Sequence, residues 1–324
     1  MARDHIDSDP IADLAANTAL PFEQARAMPP SVYTSQAFLE AELAEIFRKE
    51  WYCVGRAGAL SKPGDYVTGE LAGQPFIVAR GRTGSSGRCP TSACTGCRRC
   101  WGRGSTRAIV CPYHAWTYNL DGTLRGAPAM TLNGGFDKRD YCLPQIRCEE
   151  WLGWVFVTLN PEAAPVAERL AQVGDMVAGY DMLNYTETFF EEHVWDTNWK
   201  VLAENFMESY HLPVCHAGTI GGLSKLEEMV CPPGLPAFNY HTILKDDSLR
   251  IAMAHPSNTR LKGEERRTTF LLALYPSLLI TLTPGYFWYL SLHPRGRGRC
   301  ISALVAACPT ITRTTPMPRP ISPR

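Results

Sequence analysis

This chain lacks an excess charge of either sign. Its 324 residues hold 32 Lys and Arg against 32 Asp and Glu, so neither nucleic acid nor a charged membrane surface is expected as a partner. Long apolar runs are also missing. The best, Phe270 to Leu282, is interrupted by Pro276 and falls short of the ~20 residues that cross a bilayer. The opening Met-Ala-Arg-Asp-His-Ile-Asp has no apolar signal region, so a cytoplasmic protein is expected. Histidine is scarce, with eight in all and none between His5 and His114. No imidazole chemistry can therefore arise from that part of the chain.

Hydrophobic residues make up 45% and charged residues 20%, an ordinary globular composition, and the length suits two domains. The 12 cysteines are uneven, five of them falling between Cys89 and Cys111. In a reducing compartment such clustering reads as metal or cluster ligation before disulfides.

The stretch from Asn198 to His216 organises the rest. An apolar, helix-like run, Trp199 to Phe206, leads to Glu208, His211 and His216. Two imidazoles with a carboxylate form the facial triad of non-haem Fe(II) oxygenases, which leaves positions open for O₂ and substrate. On a regular helix, five residues turn through about 500°, leaving the rings about 140° apart. A shared metal needs a broken helix, and Pro213 is expected to break it. Two ordinary histidines at a helix end remain the alternative for this motif alone.

Upstream, residues 1 to 35 read as a polar arm, and Phe38, Leu39, Leu43, Ile46 and Phe47 have helical spacing. Tyr66–Leu71 and Pro75–Ala79 read as a hairpin around Ala72-Gly73-Gln74. Trp151 to Val157 reads as one strand, Ala163 to Leu183 as a helical connector, Thr186 to Trp195 as the start of a second domain. Phe270 to Leu292 reads as strands.

Cys111-Pro-Tyr-His114-Ala-Trp116 places a thiolate and an imidazole three residues apart on a loop. Here a resemblance becomes specific. Cys111, His114 and Trp116 look like the second half of a Rieske motif, and Asn198 to His216 resembles the mononuclear-iron motif of Rieske non-haem iron oxygenases. The chain is thus similar to the α-subunits of ring-hydroxylating oxygenases over roughly residues 35–80 and 102–299. The resemblance implies an α+β fold: an N-terminal all-β Rieske-type domain and a helix-grip (START-like) catalytic domain with an antiparallel sheet, truncated at its C-terminus. Expected boundaries are 1–40 for the arm, 41–160 for the Rieske domain, 161–299 for the catalytic domain and 300–324 for a tail.

It also implies a [2Fe–2S] cluster, with Cys111 and His114 among its ligands, and Fe(II) on His211 and His216. A flavin- or ferredoxin-type reductase, O₂, a small-molecule substrate and a homotrimer are the implied partners. Glu208 matches the carboxylate that bridges the two metal centres between subunits, Asn205 matches a position near the iron, and Tyr210 reads as packing. The Glu204-to-His211 motif looks most like the branch acting on betaine- or carnitine-like quaternary ammonium compounds. Tyr275, Tyr286, Phe287, Trp288 and Tyr289 are candidates for an aromatic cage. An aromatic ring is the alternative substrate.

Two expected pieces are missing. The first Rieske half, C-x-H, falls by counting at Ser92-Ala93-Cys94, and the third iron ligand, an Asp near the family's C-terminus, would lie beyond Arg324. Arg82 to Trp101 also has almost no apolar content. Back-translated and read one base earlier, it permits Asp-Gly-Glu-Leu-Arg-Ala-Leu-Ser-Asn-Val-Cys-x-His-Arg. The hypothesis is a reading-frame slip near Arg82, restored near Gly102, with a second near Arg299. An intact codon phase on sequencing the locus would sink it. Two other classes stay open: a non-catalytic helix-grip binding module, and a zinc scaffold on Cys94, Cys97 and Cys100.

Overall fold

In this computed structural model the described residues are 9–81, 91–92, 102–221, 225–246, 248 and 251–309. The amino-terminal arm is helical and docked. α1 (Pro10–Thr18) has proline in its first turn and Asp9 as its cap, accepting from the Ile11 amide at 2.9 Å. α2 (Ser31–Thr34) and α3 (Gln36–Glu42) come next, with Ser35 capping α3. A π-helical turn continues over Leu43–Phe47. Phe38, Leu39 and Phe47 are buried, as their spacing requires. Their partners include the helix that leads to His211: Phe47 meets the Trp199 ring edge-on at 5.2 Å.

The next strands are short. β1 (Tyr52–Arg56) precedes the hairpin of β2 (Asp65–Leu71) and β3 (Gln74–Ala79). The hairpin lies where the sequence places it. Ala72 and Gly73 take φ of 48° and 79°, the two-residue geometry that matches strand twist. β4 (Thr91–Ser92) and β5 (Arg103–Ser105) complete a sheet ordered β4-β3-β2-β5. β6 (Ile109–Val110), β7 (Thr117–Tyr118) and β8 (Leu124–Gly126) form a separate small sheet.

The expected single strand at Trp151–Val157 is instead a hairpin of β9 (Arg147–Trp151) and β10 (Trp154–Thr158), which joins β1 in the order β1-β10-β9. Leu152 and Gly153 turn the chain at φ of 45° and 82°. The apolar run hid this turn. A side chain at Gly153 would meet the Arg56 guanidinium at 2.6 Å. That buried guanidinium donates to the carbonyls of Leu152 and Met182, both at 2.8 Å, and stacks on Trp154.

α4 (Val166–Arg169) and α5 (Ala171–Val177) make the helical connector. Beyond it lies a seven-stranded antiparallel sheet, ordered β11-β17-β16-β15-β14-β13-β12. Its strands are β11 (Tyr185–Trp195), β12 (Met229–Val230), β13 (Phe238–Leu244), β14 (Thr268–Leu274), β15 (Leu278–Leu282), β16 (Phe287–Gly296) and β17 (Arg299–Pro309). Between β11 and β12 lie α6 (Trp199–Met207) and α7 (Leu212–Cys215).

β17 corrects the expected boundary. Residues 300–309 are not a tail; they pair in register with β11 on one side and β16 on the other. Cys300, Ser302, Val305 and Ala307 are buried. The Pro- and Thr-rich composition read across 300–324 is concentrated in residues 310–324. The frame slip expected at 82–101 lies outside the described residues, apart from the β4 backbone; of the stretch after the second slip, expected near Arg299, residues 300–309 are described in β17 and 310–324 are not.

Strand alternation gives this sheet two different faces. Phe287 and Tyr289 point to β10, with ring centroids 5.2 and 6.1 Å from Trp154. Trp288 points the other way, edge-on to Phe206 of α6 at 5.3 Å.

Candidate metal centre

The site grows out of α6. Asn198 caps it, accepting from the Lys200 amide at 3.0 Å while its amide donates to the carbonyls of Tyr33 (3.0 Å) and Arg297 (2.8 Å). Lys200 is 6% exposed and pairs with Glu42 at 2.9 Å. Its ammonium also lies 5.4 to 5.6 Å from the rings of Tyr33, Phe38 and Trp199. Burial raises the Glu42 carboxyl above the ordinary range, and Lys200 opposes that rise. Tyr33 donates its hydroxyl to Glu204 at 2.8 Å. The helix that leads to the metal candidates is thus fixed to the arm by buried charge.

The helix ends at Glu208, whose backbone is extended (φ −106°, ψ 142°). The break therefore precedes His211 and is not made at Pro213, as expected. Pro213 instead sits in the first turn of α7, where a missing N–H costs nothing. His211 and His216 bracket α7, and their rings stand 5.2 Å apart between centroids at 60°. The short helix, not a kink within a long one, brings them together.

Glu208 is turned onto its own chain. One carboxylate oxygen accepts from the amides of Tyr210 (2.7 Å) and His211 (3.2 Å). The other is bonded to Nδ1 of His211. Donation of the Nδ1 proton to a carboxylate fixes the ring and leaves Nε2 free as a metal donor. Asn205 is exposed on α6. Tyr210 is 81% exposed, so it does not pack as expected.

The Cys111–His114 loop is a tight turn between β6 and β7. The Cys111 amide donates to Trp116 O at 2.8 Å, and the Ala115 amide donates back to Cys111 O at 2.9 Å. Ala115 takes φ of 58°. His114 is exposed, its ring 3.8 Å from that of Tyr113, and Trp116 anchors the loop against Phe136 and Tyr141.

The donor sets decide what each site can hold. A Rieske centre takes two thiolates on one iron and two imidazoles on the other. Cys111 and His114 supply one of each, and no second histidine lies anywhere from residue 6 to 113. A complete Rieske centre does not fit this chain. The other site fits in part. His211 and His216 supply two imidazoles facing each other, but no group of three His, Cys, Asp or Glu suited to a metal occurs among the described residues.

The chain matches the Rieske [2Fe–2S] domain over residues 50–138 and the ring hydroxylating alpha subunit catalytic domain over residues 182–309. It belongs to the Rieske non-haem iron oxygenase α-subunit family. Members of this family are oxidoreductases whose cofactors are a [2Fe–2S] cluster and mononuclear Fe(II). The chain is 28% identical over 279 residues to the carnitine monooxygenase oxygenase subunit of Escherichia coli K12, covering 81% of this chain and 69% of that one. It is 30% identical over 236 residues to the glycine betaine monooxygenase oxygenase subunit of Chromohalobacter salexigens, covering 71% and 53%. The chain thus spans between half and about two thirds of these relatives' lengths. The fold is shared with the quaternary ammonium Rieske monooxygenase CntA bound to gamma-butyrobetaine, at TM-score 0.71, 21% identity and 94% and 79% coverage. It is also shared with naphthalene 1,2-dioxygenase from Rhodococcus, at TM-score 0.77, 19% identity and 93% and 76% coverage.

The aromatic cage read from the sequence does not assemble as one unit. Phe287 and Tyr289 are fully buried against β10, and of the three candidates on that strand Trp288 is the one that faces α6. Tyr275 and Tyr286 sit at opposite ends of β15. Sequence reasoning missed two features: the buried Lys200–Glu42 pair, and His241 on β13, beside Ser209. Neither has a local sequence signal, since each partner is far away along the chain.

Proposed function

We propose that this chain derives from an O₂-dependent oxygenase that hydroxylates or N-demethylates a small organic substrate at Fe(II) held by His211 and His216. The facing of those two rings, with Glu208 on Nδ1 of His211, carries the reading. Fe(II), when bound, supplies the O₂ chemistry. The chain's own part is to orient the donors. Glu208 holds the His211 proton, α6 fixes the segment to the sheet, and Trp288 and Phe206 wall the side facing α6. In this reading Glu208 serves its own chain's His211 before any bridge to a neighbouring subunit. Cytoplasmic placement, a reductase partner and a trimer follow from the family resemblance.

The proposed substrate class is a quaternary ammonium compound, supported by the carnitine and glycine betaine relatives. Ligand-dependent thermal stabilisation by carnitine or betaine, and none by naphthalene, is the expected outcome. Stabilisation by naphthalene alone would move the substrate to aromatic rings.

The second reading concerns turnover. With no histidine from residue 6 to 113 to supply the second Rieske imidazole, little or no oxygenase turnover is expected from this chain. Iron analysis and EPR of the reduced protein test this. A full Rieske signal would contradict it; ligand binding with no O₂ consumption would favour a non-catalytic binding module.

A further inference from the structure

From Val201 to Gly221, Ser209 is the one buried residue. The other residues of this segment, Glu208, Tyr210 and Cys215 among them, are exposed or half-buried. The segment bearing both histidines therefore has a single deep point of attachment. That attachment is His241 of β13, 2% exposed. Ser209 Oγ lies 3.3 Å from its Nε2.

Met207 is the last residue of α6, and Ser209 comes directly after the extended Glu208. The His241 ring thus holds the chain directly after Glu208, where helix gives way to extended backbone. An unbonded polar ring at this depth would be costly, and this one is bonded to the residue that follows the break. Glu208 then has the direction that lets it reach Nδ1 of His211.

We propose that His241 is a positioning residue for the paired-histidine metal site. Acting through Ser209, it fixes the break that aims Glu208 and His211. This rests on the reading of His211 and His216 as metal donors.

Co(II) is the probe, titrated into the full chain and followed by its visible spectrum. Ser209→Ala and His241→Gln are expected to weaken Co(II) binding about tenfold or more, as loss of outer-shell partners does. Ser291→Ala is the control: it removes a buried hydroxyl bonded to Cys53 O at 2.8 Å and should leave affinity within about twofold. Unchanged Co(II) affinity in Ser209→Ala, or equal weakening in Ser291→Ala, would overturn the inference. If His241→Gln fails to fold, Ser209→Ala still decides, because it removes only a hydroxyl. Failure of the underlying reading looks different: wild type and His211→Ala would then bind Co(II) alike, and the positioning role falls with it.

Discussion

At the scale of single residues, the site depends on which nitrogen is occupied. Glu208 binds Nδ1 of His211, so the metal donor is Nε2. Glu208→Gln keeps the shape and removes the charge. It should weaken Co(II) binding by roughly 10- to 100-fold, read by titration, and retain the fold, since the side chain is 45% exposed. His293 presents a different case. Its ring is 8% exposed, and neither nitrogen has a partner among the described residues. Burial, with Arg295 beside it, holds its pKa down to about 3. The unfolded chain therefore takes up a proton near pH 6.5 that the folded chain refuses. Stability is unaffected above about pH 6.5 and falls as pH drops from there toward 3, by up to about 1.4 kcal/mol per pH unit. His293→Gln should flatten that limb in urea denaturation series between pH 6.5 and 4; an unchanged slope would contradict the assignment.

At the scale of elements, the arm and α6 are coupled by buried charge. Lys200→Met leaves Glu42 desolvated and unpaired, at a cost of about 3–5 kcal/mol. The double change Lys200→Met with Glu42→Leu should recover most of that loss, because burying an ion pair and burying two apolar groups cost similar amounts. Urea midpoints of wild type and the two variants measure it. A single variant as stable as wild type would show that the arm does not hold the helix. The π-helical turn and docked α3 were legible as apolar spacing, but their target was not. Phe47 and Trp199 are distant along the chain, and periodicity reports only that a face is buried, not against what.

At the scale of the molecule, β17 closes the sheet between β11 and β16. A chain ended after Pro309 should keep a cooperative thermal transition; one ended after Arg299 should lose it. Removing β17 would strip both neighbours of a ladder of hydrogen bonds. Equal transitions in the two would refute the role of β17 in closing the sheet. Local composition misplaced that boundary because small and β-branched residues in an alternating strand look, residue by residue, much like an irregular tail. No helix among the described residues is long and apolar enough to cross a membrane.

The sequence by itself determined the chemistry available. The count and positions of His and Cys fix the donor types, and no folding can create the imidazole missing before His114. Motif order likewise determined the family. Tertiary structure alone decided geometry: that α7 rather than Pro213 brings His211 to His216, that Glu208 turns onto its own histidine, and that strand alternation splits the aromatic residues between two faces. The reason is physical. Ligand identity is a property of side chains, while facing, burial and pairing arise between segments whose separation along the chain carries no local signal.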